Sequence, residues 1–304
     1  MRKFYSFIFF YFVVSYSYPA FSSDYESRVS EVILGGENRV IILDYKKLQN
    51  GIKQINWQLT TTEIDGLPDD FDLKLMEVDD QKSVDENSKI LISSSASAVV
   101  LIDRETKKLL FYAIAPNAHS VEYLPNDRIA IAMSTSQGGN RIAIYDAAKS
   151  NIPLFQDELY SGHGVVWNED KKLLYVLGYD QLRAYSLEAW ESENPQLSLK
   201  QKWQLPETGG HDLFAPTSDY HLISTSNKVW KFDNITGEFT PFGPIASEKQ
   251  VKSIYYNDET KELIYTKGGT NWWSNQVNII NPNWKLDVPE IKLYKVRIIE
   301  QGLN

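Results

Sequence analysis

Along this chain, short runs of apolar and β-branched residues alternate with clusters of Gly, Asn, Ser and Asp, and no window sustains a helical period. Six of the runs share one form, a β-rich stretch closing on Asp, Asn or Ser: 39–44, 99–103, 141–146, 182–186, 229–233 and 277–281. Each is preceded by a second apolar run ending in small residues, as in Ile90-Leu-Ile-Ser-Ser94 and His221-Leu-Ile-Ser-Thr225. Short strands joined by turn residues at a spacing of about 45 residues predict the blades of a β-propeller. A simple β-sandwich does not account for six copies in phase.

In a four-stranded blade the paired runs are the second and third strands, so an innermost strand should precede each pair. Five are readable, beginning at Lys74, His119, His163, His211 and Lys252. The N-terminal blade lacks one, because Val32 already begins its second strand. The unpartnered segment Tyr294–Ile299 is therefore expected to complete that blade from the other end of the chain. Such closure removes free sheet edges and ties down both termini. The expected fold is all-β, a six-bladed propeller over residues 23–304.

The first residues read differently. Arg2 and Lys3 precede an aromatic and apolar stretch from Phe4 to Tyr16, and Ala20 and Ser22 stand where a leader would be cleaved. That layout predicts a secretory signal peptide over residues 1–22. The stretch is too short for the roughly 20 residues that span a bilayer, and no later segment is apolar enough. A secreted or periplasmic location suits a chain without cysteine, since a free thiol is a liability in an oxidising space. The same absence rules out disulfides, thiolate metal ligands and a cysteine nucleophile. The formal charge of −9 becomes −11 without Arg2 and Lys3, and there is no basic run, which argues against nucleic acid as a partner.

Several strings resemble a family of secreted bacterial propellers of unknown function, the DUF6528 type. They are Leu-Ile-Asp-Arg-Glu-Thr-Lys (101–107), Ala-His-Ser-Val-Glu-Tyr-Leu-Pro (118–125), Gly-His-Gly-Val-Val-Trp (162–167), Gly-Gly-His-Asp-Leu (209–213), Val-Lys-Ser-Ile (251–254), Trp272-Trp273-Ser274 and Leu-Tyr-Lys-Val-Arg (293–297). The resemblance implies six blades and export. It implies no activity.

Candidate chemistry comes from the starts of the inner strands: Lys74, His119, His163, His211, Lys252 and, by the closure argument, Lys295. Inner strands line the central channel, so six basic groups are expected to converge at one mouth. No Asp or Glu is expected to share their register, and alternation is expected to turn Asp212 to the other face of its strand. Three readings remain open. Converging cations would favour a carboxylate, phosphate or sulfate. His119, His163 and His211 as neutral imidazoles would suit Zn²⁺ or Mn²⁺. The same groups would also serve simply to bond carbonyls and water in the channel. A long loop in the last blade, Lys267–Gln276, is expected to open on the same mouth, where Trp272 and Trp273 would offer a stacking platform for a sugar.

A cationic pocket rimmed by aromatics suits an acidic glycan or another anionic small molecule. Two function classes follow. One is a binding protein, either a glycan receptor or an interaction scaffold. The other is a polysaccharide lyase, in which a lysine or metal neutralises a uronate and His119, His163 or His211 removes the adjacent proton. A two-carboxylate hydrolase is disfavoured, because no acidic pair is expected in the ring.

Overall fold

A computed structural model describes residues 27–269 and 271–301. The expected leader over residues 1–22 lies outside the described residues. Six four-stranded antiparallel sheets form the molecule, and five of them are consecutive in sequence. Their innermost strands are Val78–Val84, Ala118–Leu124, Gly164–Asn168, Asp212–Thr217 and Val251–Tyr256 for blades two to six. Blade one is assembled from both ends of the chain. Its outer three strands are Val29–Gly36, Arg39–Asp44 and Ile55–Thr60, and its inner strand is Val296–Glu300, paired antiparallel with Val29–Gly36. The expected closure is therefore present, with each inner strand packed against the next around the circle.

The middle strands read as unbroken apolar runs because each blade is covered on both faces. Every residue of Arg128–Met133 is buried, whereas the outermost strand Pro153–Glu158 is largely open to solvent. Alternation sends successive residues into opposite junctions. Ile33 packs with Ile90, Ile92 and Val100 of blade two, while its neighbour Leu34 packs with Ile264, Val277 and Ile279 of blade six. Six apolar clusters result, one at each junction between blades. The core is thus a ring of six inter-blade layers. None of the described helices is long and apolar enough to cross a membrane.

The axis of the ring is filled by charge. Lys295, just before the closing strand, and Arg297, on it, meet Asp80 of blade two and Asp212 of blade five. Arg297 donates from Nε to Asp80 Oδ1 at 2.6 Å and from Nη2 to Asp212 Oδ1 at 2.9 Å. Lys295 Nζ lies 3.1 Å from Asp212 Oδ1 and donates to the carbonyl of His163 at 3.0 Å. Burial alone would raise the Asp80 pKa, but Arg297, Lys295 and Lys82 more than offset it and hold the carboxylate well below its usual range. Inner-strand amides complete the hub: Val165 N donates to Ser120 Oγ, Ile254 N to Asp212 Oδ2 and Val296 N to Ser253 Oγ.

Candidate site at the channel mouth

Just above this hub, one residue per blade closes the mouth where the inner strands begin. At Asp79, His119 and Lys252 the pairing slips by one residue, leaving the side chain outside the regular ladder. Such a slip re-aims a side chain without breaking the sheet. His163 and His211 immediately precede their strands, their amides bonded to Leu177 O and Ser224 O. Tyr294 takes the corresponding place before the closing strand. The ring is Asp79, His119, His163, His211, Lys252 and Tyr294.

Two of the expected ring members are displaced. Lys74 lies in the 3₁₀ turn Asp72–Leu75, before the inner strand Val78–Val84 starts, and Asp79 holds the position assigned to it. The run Lys74-Leu-Met-Glu-Val78 is expected to be strand, but Lys74 and Leu75 end a 3₁₀ turn that buries Leu75, and the strand starts only at Val78. Lys295 is one residue too far along. It is fully buried in the hub, and Tyr294 faces the mouth instead. Two further expectations are corrected with these. A carboxylate does share the register, at Asp79. Asp212 faces the axis, because its carboxylate is needed there to balance Arg297 and Lys295.

Among the ring members, aromatic packing sets the geometry. The rings of His119 and His163 stack with centroids 4.4 Å apart, Tyr294 stacks on the other side of His119 at 5.5 Å, and His211 meets His163 edge-on at 5.5 Å. His163 Nδ1 lies 2.9 Å from Ser161 O, a contact only a protonated Nδ1 can use as a hydrogen bond, so Nε2 is its lone-pair nitrogen. His119 Nδ1 is 3.4 Å from Asp79 Oδ1, and Asp79 Oδ2 accepts from Ser95 N at 2.5 Å. Lys252 Nζ donates to His211 Nε2 and to Gln250 Oε1, both at 3.0 Å, and sits 5.8 Å from the Tyr294 ring centre.

The electrostatics are milder than six cations would give. Burial, aided by His119 and His211, pushes the His163 pKa well below the imidazole range. Burial and the adjacent Lys252 push His211 down to about 3. Burial, with Lys295 behind it, lowers Lys252 to about 8, still protonated at neutral pH. Burial, then Asp79, Asp212 and Asp80, raise Tyr294 far above its usual value and keep it a neutral phenol. His163 and His211 are therefore uncharged near neutrality, and Lys252 carries a positive charge at the mouth.

As for a metal, His163 Nδ1 is engaged by Ser161 O and the His211 Nε2 lone pair is taken by Lys252. Among the described residues no set of three His, Asp or Glu side chains converges to hold an ion. The mouth itself is a cavity of about 480 Å³, bounded by the five ring members other than Asp79, by Ser95, Asn117 and Ser136, and by Trp272. Trp272 is 66% exposed. Trp273 is half-buried under Lys292, outside this cavity. His221, the fourth histidine, lies apart in blade five, buried between Tyr175 and Phe232 with Nδ1 2.7 Å from Asn234 Oδ1.

Asp79 and Tyr294 were the site residues sequence reasoning missed. Both sit one position before a residue of the hub, Asp80 and Lys295, so the spacing counted back from Lys252 would have found them had the register been set by the hub.

Sheet count, closure and a one-residue-per-blade mouth define a closed six-bladed propeller with a polar, aromatic-walled axial site. Residues 33–302 match the Family of unknown function (DUF6528), and the chain belongs to that family. No curated protein matches the sequence. Among solved structures, a chain of "Crystal Structure of Mitotic Checkpoint Complex" is similar at a TM-score of 0.55 and 14% identity, over 82% of this chain and 69% of that one. That likeness shows the fold alone. With 1263 solved chains matching, the architecture does not narrow the function, which must come from the site.

Proposed function

We propose that the channel mouth binds an acidic carbohydrate, and that the protein does so outside the cytoplasm after removal of residues 1–22. The observation that carries the reading is the meeting of Lys252 and Trp272 in one cavity. A buried ammonium, poorly solvated and fixed by Gln250 and His211, gains more from a ligand carboxylate than an exposed one would. An indole left two-thirds open beside it is the flat apolar surface on which a sugar face stacks. The rest of the lining, Glu77, Ser95, Ser97, Asn117 and Ser136, is suited to hydroxyl groups, with Glu77 accepting from them. A ligand with one acid group and several hydroxyls uses all of these at once.

Calorimetry with galacturonate oligomers tests this. The wild type should bind them in preference to neutral glucan oligomers, and Lys252→Met should weaken binding by about tenfold or more, the worth of one charge-assisted hydrogen bond. Because only the protonated amine attracts a carboxylate, affinity should fall as pH rises through about 8. Equal binding of neutral and acidic oligomers, or none of either, would overturn the proposal.

A second reading has one observation in its favour. The locked tautomer of His163 leaves Nε2 as a base in the cavity that Lys252 also lines, and an ammonium able to neutralise a uronate together with a base is what β-elimination needs. The depressed pKa makes that base weak. A lyase would release unsaturated products absorbing in the ultraviolet, and binding without that signal leaves the first reading standing.

A further inference from the structure

The hollow at the mouth continues beyond Trp272. A second hollow of about 260 Å³ adjoins it and shares Glu77, Ser95, Trp272 and Tyr294 as walls. Its far side is formed by Trp273, Lys292 and Glu37. There Lys292 Nζ stands 5.5 Å from the Trp273 ring centre and 3.4 Å from Glu37 Oε1, its side chain about half exposed. The pairing found at the mouth, an ammonium with an indole, is thus repeated in the neighbouring hollow, with Trp272 between the two.

The second hollow is held in shape by the backbone. Ser274 N donates to Leu293 O at 2.9 Å and Leu293 N to Ser274 O at 2.7 Å, clipping the tryptophan loop to the segment that carries Lys292. Gly36 lets that segment lie close on blade one, since a Cβ there would stand 2.1 Å from the Lys292 carbonyl oxygen. Gly269 N bonds Trp273 O, and Gly268 leaves the loop room above Lys252, whose Cε would be 3.3 Å from an added Cβ. The backbone that carries both indoles is therefore set before any ligand arrives, which lowers the ordering cost of binding.

We infer that the two hollows form one cleft for a chain of acidic sugars, with Trp273 and Lys292 as a second subsite that reads the acid group of a further residue. The inference rests on the reading of the mouth as an acidic-carbohydrate site. A ligand with one carboxylate would leave Lys292 unused, whereas a uronate chain repeats carboxylate and sugar face in the way the cleft repeats ammonium and indole.

Titration of the full chain with mono-, di- and tetragalacturonate tests it. In the wild type, affinity should rise by about tenfold or more from the monomer to the tetramer, and Lys292→Met should remove most of that rise while leaving the monomer's affinity unchanged. Trp273→Ala should act in the same direction. Lys292→Met, on an exposed side chain, keeps the test independent of any folding defect in the tryptophan variant. Monomer and tetramer binding equally well, or Lys292→Met weakening both alike, would overturn the second subsite and leave the mouth reading intact. Failure of every oligomer to bind would overturn both.

Discussion

At the scale of single residues, burial decides which titratable groups are charged, and it does so against the expectation from composition. Three of the four histidines lie at the mouth, yet His163 and His211 are held neutral by their surroundings. His221 shows the same physics without a role at the mouth. It is fully buried, its Nε2 has no hydrogen-bond partner, and its pKa is lowered to about 4, by burial first and against the opposing bond to Asn234. A histidine whose folded pKa is depressed favours the folded state fully above its ordinary value of 6.5. That contribution is lost as pH falls towards about 4. Replacing it by His221→Phe, which keeps a ring between Tyr175 and Phe232, should therefore flatten the acid side of the stability curve. Between about pH 7 and pH 4 the wild type should lose up to about 3 kcal/mol relative to the variant. Urea unfolding at a series of pH values measures it, and parallel curves would show that His221 does not titrate on unfolding.

At the scale of elements, the inner strands carry the decisions. Residues at or just before their starts hold the mouth, the positions that follow directly hold the hub, and their spacing is set by what neighbouring blades can tolerate. Gly164 is the clearest case. A Cβ there would stand 2.7 Å from Leu213 Cβ and 3.2 Å from Leu213 N, so the inner strands of blades four and five approach as closely as they do only because that side chain is absent. Gly164→Ala should cost about 1–3 kcal/mol, the usual range for forcing extra volume into a packed contact. It should also loosen the mouth, since His163 is the adjacent residue. Chemical denaturation reads the first effect and ligand titration the second; an unchanged unfolding midpoint would mean the strands separate freely. The element-level reading of the sequence succeeded where both faces of a strand are covered and failed where the strand begins. Apolar runs such as Ile129–Met133 identify a middle strand unambiguously. The residues around Lys74 are expected to begin a strand, yet turn into a 3₁₀ segment, because a start is defined by the partner strand and no partner is visible in a single segment.

At the scale of the whole molecule, closure and charge are one device. The strand that joins the two ends of the chain also brings Arg297 and Lys295 onto the axis, where they meet Asp80 and Asp212 from blades two and five. Two cations and two carboxylates, all buried, balance one another across the ring. Removing one member leaves a buried charge without its partner, which costs more than the intact group contributes. Arg297→Met should destabilise the protein by about 3–5 kcal/mol at neutral pH. The loss should shrink in acid, where the abandoned carboxylates take up protons in the folded state. Urea unfolding of the variant at about pH 7 and pH 5 checks both statements, and an equal loss at the two values would place the damage in packing alone.

Local chemistry sufficed to determine the blade count, the order of strands and the joining of the chain's ends, because each of those depends on periodicities of two and of about 45 residues that a linear string displays. It also singled out His119, His163, His211, Lys252 and Trp272, which line one cavity. Only the folded molecule decided that Asp79 and Tyr294 complete the ring, that Lys295 serves the hub, and that His163 and His211 are neutral. Those outcomes depend on a one-residue slip at the start of a strand and on the distance of a group from water. Both are set by residues far away in the chain.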